Sequence, residues 1–149
     1  MKPLPFKRDD GGRSAAGFAP SSDCVARAIS IASRRPYIEI RAELAALNAG
    51  MRKTKGRKTA GINSAAHGIY TATVPFKRYM AEQGFEWTPT MGIGTGCQVH
   101  LRMGEIPMGR LVVAVSRHYT AVIDGVLWDT GDVCRGGTRC VYGIWKYMG

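Results

Sequence analysis

Apolar side chains recur at helical spacing in three stretches of the chain, at about 24–32, 36–50 and 74–83. Pro36 suits the first turn of the second stretch, and Gly84 lies just past the end of the third. The pattern predicts three helices, of which the first two form a hairpin. The first helix follows the N-cap residues Ser21-Ser22-Asp23, starts at or just before Cys24, and has the apolar stripe Cys24, Val25, Ala28, Ile29 and Ala32.

The second half of the chain changes to a β pattern. Leu111–Val115 is a continuous apolar run rich in valine, which is typical of a strand buried on both faces. Asp124-Gly125 lies between Tyr119–Ile123 and Val126–Thr130 and predicts a β-hairpin, because this dipeptide accepts the positive φ angles of a type I′ turn. Further short strands are expected at 85–87 and 140–147. Helices followed by an antiparallel sheet make the expected fold class α+β.

The register of this hairpin brings two polar side chains together. A two-residue turn pairs Ile123 with Val126 and, further along the strands, Thr120 with Asp129. Since side chains alternate between the two faces of a strand, His118 then shares a face with Asp129 and is its diagonal neighbour. A carboxylate in that position can fix the tautomer of the imidazole and stabilise its protonated form. The pair therefore has what a general base requires.

Cys24 is a candidate nucleophile for this pair. Unpaired N–H groups and the dipole at a helix N-terminus favour a thiolate, and a nearby imidazolium would lower the thiol pKa further. Each residue also has a purely structural interpretation: Cys24 as a small buried residue, His118 as a hydrogen-bonded strand histidine and Asp129 as a turn carboxylate. The catalytic hypothesis requires the first helix to pack against the hairpin. Cys97 is a weaker candidate, because it follows a flexible loop rather than opening a helix.

Several stretches of the chain also carry a resemblance to a known family. They are Asp23-Cys24-Val25-Ala26-Arg27-Ala28-Ile29, Arg117-His118-Tyr119-Thr120-Ala121-Val122-Ile123-Asp124-Gly125-Val126, Trp128-Asp129-Thr130, Gly94-Thr95-Gly96-Cys97-Gln98-Val99-His100-Leu101 and Tyr142-Gly143. From about Ser22 to Trp145 the chain resembles a group of bacteriophage and prophage proteins with a papain-like cysteine peptidase fold. The resemblance implies that Cys24 is the nucleophile, His118 the base and Asp129 the residue that orients the base.

The oxyanion hole departs from the papain-like pattern. Such enzymes commonly place a glutamine a few residues before the nucleophile, whereas this chain has Ser21, Ser22 and Asp23 there. The backbone N–H of Cys24 can supply one donor to an oxyanion. A second donor is expected from Ser22, or from Gln98 if the glycine-rich loop before it folds over the site.

The cysteines and the N-terminal sequence bear on metals, disulfides and membranes. Four cysteines in a chain without an apolar signal region indicate reduced thiols rather than disulfides. Their spacing to one another and to the three histidines fits no familiar metal pattern, so neither a metal nor a cofactor is expected. No apolar run approaches the length of a membrane helix, so membrane contact is not expected.

Charge and the N-terminal segment point to partners. The 149 residues carry a formal net charge of +10, which would attract polyanions. Residues 1–20 lack periodicity and predict an extended arm that can dock on a partner, ahead of a single domain at 21–149. A basic loop near 51–60 is expected either to be a solvated surface or to contact nucleic acid through Arg52, Lys53, Lys55, Arg57 and Lys58.

Two functions follow from these observations. The first is a cysteine peptidase or related thiol acyl-transfer hydrolase, acting on a protein or peptide through Cys24, His118 and Asp129. The second is a non-catalytic phage structural or binding protein on the same fold, in contact with nucleic acid or with a phage or host protein. The expected location is the cytoplasm of the bacterial host or the virion.

Overall fold

The computed structural model is an α+β fold in which helices pack against one face of a mixed sheet. It describes residues 2–51, 61, 63–66, 68–69, 71–92 and 94–149. The expected α+β class is confirmed. The helices are α1 (Cys24–Ser33), α2 (Tyr37–Gly50) and α3 (Val74–Glu82), and the strands are β1 (Phe6–Arg8), β2 (Phe85–Pro89), β3 (Arg110–Val115), β4 (His118–Ile123), β5 (Val126–Asp129) and β6 (Val141–Tyr147).

The six strands form one sheet in the order β1-β5-β4-β3-β6-β2. Every neighbouring pair is antiparallel except β1 and β5, which run parallel. The central strand β3 is buried on both faces, as its continuous apolar run predicted. Its alternate side chains serve two cores: Val112 and Ala114 face the helices, whereas Leu111, Val113 and Val115 face a second core beneath the loops.

The hairpin of β4 and β5 has the predicted register. Ile123 pairs with Val126, Val122 with Leu127 and Ala121 with Trp128. Asp124 and Gly125 have φ angles of 47° and 79°, so both turn residues lie in the left-handed region that a type I′ turn requires. The ends of the two strands, His118 and Asp129, consequently lie at the same end of the sheet.

The N-terminal segment, expected as an extended arm, docks on the sheet of its own chain. Phe6–Arg8 pairs with Leu127–Asp129 as the edge strand β1, and the N–H of Asp9 donates to the backbone oxygen of Asp129 at 2.9 Å. Leu4 is buried in the second core. The segment therefore covers the open edge of β5 and holds the backbone at Asp129.

The expectation of four reduced cysteines is wrong for one pair. Cys97 and Cys140 form a disulfide with their Cα atoms 5.8 Å apart, while Cys24 and Cys134 are free. A backbone bridge between His100 and Cys140 brings the loop before Leu101 alongside the start of β6, which places the two thiols within bonding distance. This contact joins residues far apart in sequence, so the spacing of the cysteines gave no indication of it.

Two further expectations concern membrane contact and the basic loop near 51–60. Among the described residues, no helix is long and apolar enough to cross a membrane. The basic residues of the loop near 51–60, namely Arg52, Lys53, Lys55, Arg57 and Lys58, lie outside the residues that the structure describes.

The hairpin turn can be tested with two alanine substitutions. Gly125→Ala places a side chain at φ +79°, and because the added Cβ meets no atom within 4 Å, only the backbone angle opposes it. We expect a loss of about 1 kcal/mol in the free energy of unfolding. Gly131→Ala also adds a Cβ in open space, but without a positive φ, and should change stability by less than about 0.5 kcal/mol. Urea unfolding of both variants measures this, and equal effects would contradict the assigned turn.

Candidate active site

Cys24 is the first residue of α1, and the turn before it is arranged unusually. Asp23 occupies the N-cap position, but its carboxylate makes no capping hydrogen bond to the helix. Its Oδ1 instead accepts from Arg13 at 2.8 Å and from Arg27 at 2.9 Å, and its Oδ2 accepts from the hydroxyl of Tyr37. The Asp23 carboxylate therefore leaves the first N–H groups of α1 uncapped, and these groups favour negative charge beside Cys24.

His118 and Asp129 form the pair that the hairpin register predicted. His118 is the first residue of β4 and Asp129 the last of β5. The two side chains meet through a 2.7 Å hydrogen bond between His118 Nε2 and Asp129 Oδ2. Asp129 is 3% exposed, so this contact is shielded from water. The carboxylate fixes the ring and favours its protonated form.

The structure brings Cys24 to this pair. Its thiol lies within hydrogen-bonding reach of His118. Because Nε2 of the ring is bonded to Asp129, Nδ1 is the nitrogen left for the thiol. Cys24 and His118 both line a cavity of about 880 Å³, which opens beside the start of α1. The three predicted residues thus form one constellation, and two of them, Cys24 and His118, line the cavity.

Burial and hydrogen bonding act in opposite directions on the Cys24 thiol. Burial raises its pKa and is the largest single influence. The hydrogen bond to His118, the backbone N–H of Tyr119 and the charges of His118 and Arg27 together outweigh burial, so the pKa of Cys24 is lowered from its ordinary value. The site therefore favours a thiolate beside an imidazolium.

The contact between His118 and Asp129 raises the pKa of the histidine and lowers the pKa of the aspartate. Burial lowers the pKa of His118, but the hydrogen bonds and charges of Asp129 and Cys24 outweigh it and raise the value to about 9. Burial raises the pKa of Asp129, and the hydrogen bond and charge of His118 overcome this and lower it. The raised pKa of His118 adds to the free energy of unfolding. This contribution is complete below pH 6.5, the ordinary pKa of histidine, and is lost as the pH rises through about 9. The carboxylate contributes above pH 3.8 and loses its effect as the pH falls through its lowered pKa.

Arg27 is a site residue that the sequence prediction missed. Its guanidinium lies between two carboxylates: Nε donates to Asp23 at 2.9 Å, and Nη1 donates to Asp129 Oδ1 at 3.0 Å and to the Thr130 hydroxyl at 3.1 Å. It is 7% exposed. A charged residue one turn after Cys24 on a largely apolar helix was the available signal, because a buried arginine requires acidic partners. Arg27 positions Asp129 rather than touching the cavity sulfur directly.

The two expected oxyanion donors have different locations. Ser22 is exposed and lines the cavity next to Cys24. Gln98 is exposed, donates its side-chain N–H to the carbonyl of Thr95 at 2.7 Å, and is absent from the described residues that line the cavity. The structure therefore brings Ser22, but not Gln98, to the cavity that Cys24 lines. The backbone N–H of Cys24 lies at the start of α1, where helix N–H groups favour negative charge.

The remaining cysteines do not compete with Cys24. Cys97 is bonded to Cys140. Cys134 is fully buried in the second core, and burial is the main reason that its pKa is raised to about 11. Within the described parts of the chain, no group of three His, Cys, Asp or Glu side chains is placed to bind a metal ion. Cys24 is thus the one described thiol that is both free and turned toward a cavity.

Comparison with known proteins adds no relative. The chain matches no protein-family model, no curated protein and no solved structure.

The lowered pKa of Cys24 predicts a pH profile for alkylation. We expect iodoacetamide to modify Cys24 with a half-maximal rate at a pH below that of an ordinary cysteine, because only the thiolate reacts. His118→Ala removes the hydrogen bond and the charge that lower the pKa of Cys24, while Cys24 remains largely buried. The alkylation midpoint of this variant should therefore lie at a higher pH than that of the unmodified protein. Mass spectrometry of the unreduced protein follows the reaction, and Cys134 should stay unmodified as an internal control. Identical midpoints for the two proteins would contradict the thiol–imidazole contact.

The position of Arg27 predicts a large loss of stability when it is removed. Arg27→Met leaves the buried carboxylates of Asp23 and Asp129 without a shared cation, which should cost about 3–5 kcal/mol in urea unfolding. The Cys24 alkylation midpoint should also rise, because the charge of Arg27 lowers that pKa.

A matched control uses an exposed ion pair. Glu39 has a side chain 52% exposed and lies 3.2 Å from Arg35. Glu39→Gln should cost less than about 1 kcal/mol and leave the alkylation midpoint unchanged. If Arg27→Met behaves in the same way, Arg27 does not hold the site together.

Proposed function

We propose that the protein is a thiol acyl-transfer hydrolase of the papain-like cysteine peptidase type, with Cys24 as nucleophile, His118 as acid and base, and Asp129 as the residue that orients His118. The observation that carries the proposal is the set of Cys24, His118 and Asp129, in which Cys24 and His118 line a cavity and the thiol of Cys24 has a lowered pKa. A helix N-terminus at the nucleophile and a carboxylate on the far side of the imidazole are the arrangement that thiol catalysis requires.

Acylation starts from the thiolate and the imidazolium. The Cys24 sulfur bonds to the carbonyl carbon of a peptide or other amide, and the carbonyl electron pair moves to its oxygen. The Cys24 N–H at the start of α1 stabilises that oxyanion. When the C–N bond breaks, His118 Nδ1 gives its proton to the departing nitrogen. An amine leaves, and the acyl group remains on Cys24 as a thioester.

Deacylation uses the same groups in reverse. A water molecule attacks the thioester carbon and gives a proton to the neutral His118. The C–S bond then breaks, which restores the thiolate and the imidazolium and releases a carboxylic acid that ionises in water. Asp129 keeps the ring oriented through both steps by accepting from Nε2.

The resemblance supports a wider setting for this activity. We infer a bacteriophage or prophage origin, and action in the cytoplasm of the bacterial host or on the virion. The described residues offer no contact that favours the non-catalytic alternative, since the N-terminal segment docks on its own sheet. That alternative rests on the net charge of +10 and on the basic residues near 51–60, which lie outside the described part of the chain.

The function is tested by cleavage of a diverse peptide mixture, with new termini detected by mass spectrometry. The unmodified protein should create new termini, and adding hydroxylamine should convert part of the acyl product to a hydroxamate by intercepting the thioester. Cys24→Ala should reduce cleavage by about a thousandfold or more, because the nucleophile is lost.

Ser33→Ala serves as a matched control for the loss of a small side chain from α1 away from the cavity, and it should retain cleavage. If Cys24→Ala cleaves as well as the unmodified protein, Cys24 is not the nucleophile. If neither protein cleaves any peptide while Cys24 remains reactive, the peptidase assignment is rejected.

A further inference from the structure

Arg117 has a backbone conformation that arginine rarely adopts. Val115 pairs with His118 across β3 and β4, so Ser116 and Arg117 form a two-residue turn. The φ angle of Arg117 is 56°, in the left-handed region where glycine or asparagine is favoured and a side chain costs stability. Arg34 and Arg135 share this conformation, but of the three only Arg117 lies immediately before the proposed catalytic histidine and among the described lining residues of the cavity.

The Arg117 side chain lines the cavity that contains Cys24. It is exposed, and it makes no hydrogen bond or ion pair within the described part of the chain. Lys77 on α3 also lines the cavity and is exposed, and its ammonium group has no such partner among those residues. Arg27, by contrast, is already bonded to two carboxylates. No aspartate or glutamate occurs among the described lining residues, so Arg117 and Lys77 give the mouth of the cavity unneutralised positive charge.

The cavity lining also includes aromatic side chains. Trp87 and Tyr142 line the cavity and are 37% and 43% exposed, so part of each side chain is open to a bound group. The ring of Trp87 lies over Gly143, where an added Cβ would come within 2.0 Å of it. Glycine at this position lets the indole lie against the sheet and keeps it in contact with Trp145, at 4.9 Å between ring centroids. Trp87 and Tyr142 can therefore bind an apolar or planar group of a ligand in the cavity.

We propose that Arg117 is a specificity-determining residue, assisted by Lys77, and that the site accepts a substrate with a carboxylate next to the scissile amide and an apolar group against Trp87 and Tyr142. This rests on the proposed acyl-transfer function. The carboxylate is that of an acidic side chain or of a peptide C-terminus, since both present the same planar group to a guanidinium. Arg117, His118 and Cys24 line the same cavity, so an anion bound by Arg117 shares that cavity with the reacting carbon.

Two alkylating reagents test the charge preference without any turnover. Iodoacetate and iodoacetamide each form a bond from the Cys24 sulfur to a methylene carbon while the C–I bond breaks and iodide leaves, but only iodoacetate carries a carboxylate. The ratio of their rates at pH 7, followed by mass spectrometry, measures the attraction of an anion to the cavity. Arg117→Gly removes the cation and relieves the backbone angle, and Lys77→Gln removes the second cation. Arg78→Gln is the matched control, since Arg78 is an exposed cation on α3 outside the described lining.

We expect Arg117→Gly to lower the rate ratio of iodoacetate to iodoacetamide about three- to fivefold, and Lys77→Gln to lower it by a smaller factor. Arg78→Gln should leave it unchanged, and added salt should narrow the difference between the proteins. The urea midpoint of Arg117→Gly should equal or exceed that of the unmodified protein, because the strain is gone. A ratio for Arg117→Gly that matches that of Arg78→Gln overturns the proposal, whether or not the protein hydrolyses peptides.

The source of the carboxylate is tested by protection of Cys24 from iodoacetamide. Three peptides with the same aromatic residue are compared: one with an internal glutamate and an amidated C-terminus, one neutral with a free C-terminus, and one neutral and amidated. Strongest protection by the glutamate peptide assigns the carboxylate to an acidic side chain. Strongest protection by the peptide with a free C-terminus assigns it to a C-terminus. Protection that is equal for all three, or absent for all three, counts against an anionic substrate.

Discussion

The arrangement of the site depends on the hydrogen bonds and ion pairs of the buried Asp129 carboxylate. A carboxylate that is 3% exposed is costly unless cations and donors surround it. Here His118 binds one oxygen and Arg27 the other, and the N–H of Thr130 adds a further bond. These partners come from β4, from α1 and from the end of β5. Satisfying the carboxylate thus requires α1 to dock at this end of the sheet, which in turn sets Cys24 beside His118.

The charges around this carboxylate alternate in sign from the N-terminal segment to the cavity. Arg13 binds Asp23, Asp23 binds Arg27, and Arg27 binds Asp129, which continues through His118 to the Cys24 thiolate. Each buried charge has an opposite neighbour, so none is left unpaired in a low-dielectric environment. The first member lies in the segment at 1–20, whose strand β1 also holds the backbone of β5. That segment is therefore coupled to the site by both charge and backbone hydrogen bonds.

Local chemistry explains what could be predicted from the sequence. The Asp-Gly turn set the hairpin register and hence the His118–Asp129 pair, and helical periodicity after Asp23 placed Cys24 at a helix start. The disulfide, the docking of β1 and the role of Arg27 depend on contacts between distant segments, which periodicity does not encode. The role of Asp23 could not be predicted for the same reason. It occupies the N-cap position, but its carboxylate accepts hydrogen bonds from Arg13, Arg27 and Tyr37 instead of capping the helix.

The position of Cys24 reconciles two opposing requirements of a thiol nucleophile. Burial removes water from the sulfur and disfavours the thiolate, as the raised pKa of Cys134 shows, where the charge of Arg139 does not outweigh burial. At Cys24 the uncapped helix terminus, the imidazolium and the nearby Arg27 offset that penalty, so the thiolate forms in a largely desolvated place. Because Asp23 is engaged by its own cations, the helix N–H groups that favour the thiolate are also free to bind an oxyanion. In the proposed function, one departure from ordinary helix capping thus serves both the Cys24 thiolate and an oxyanion.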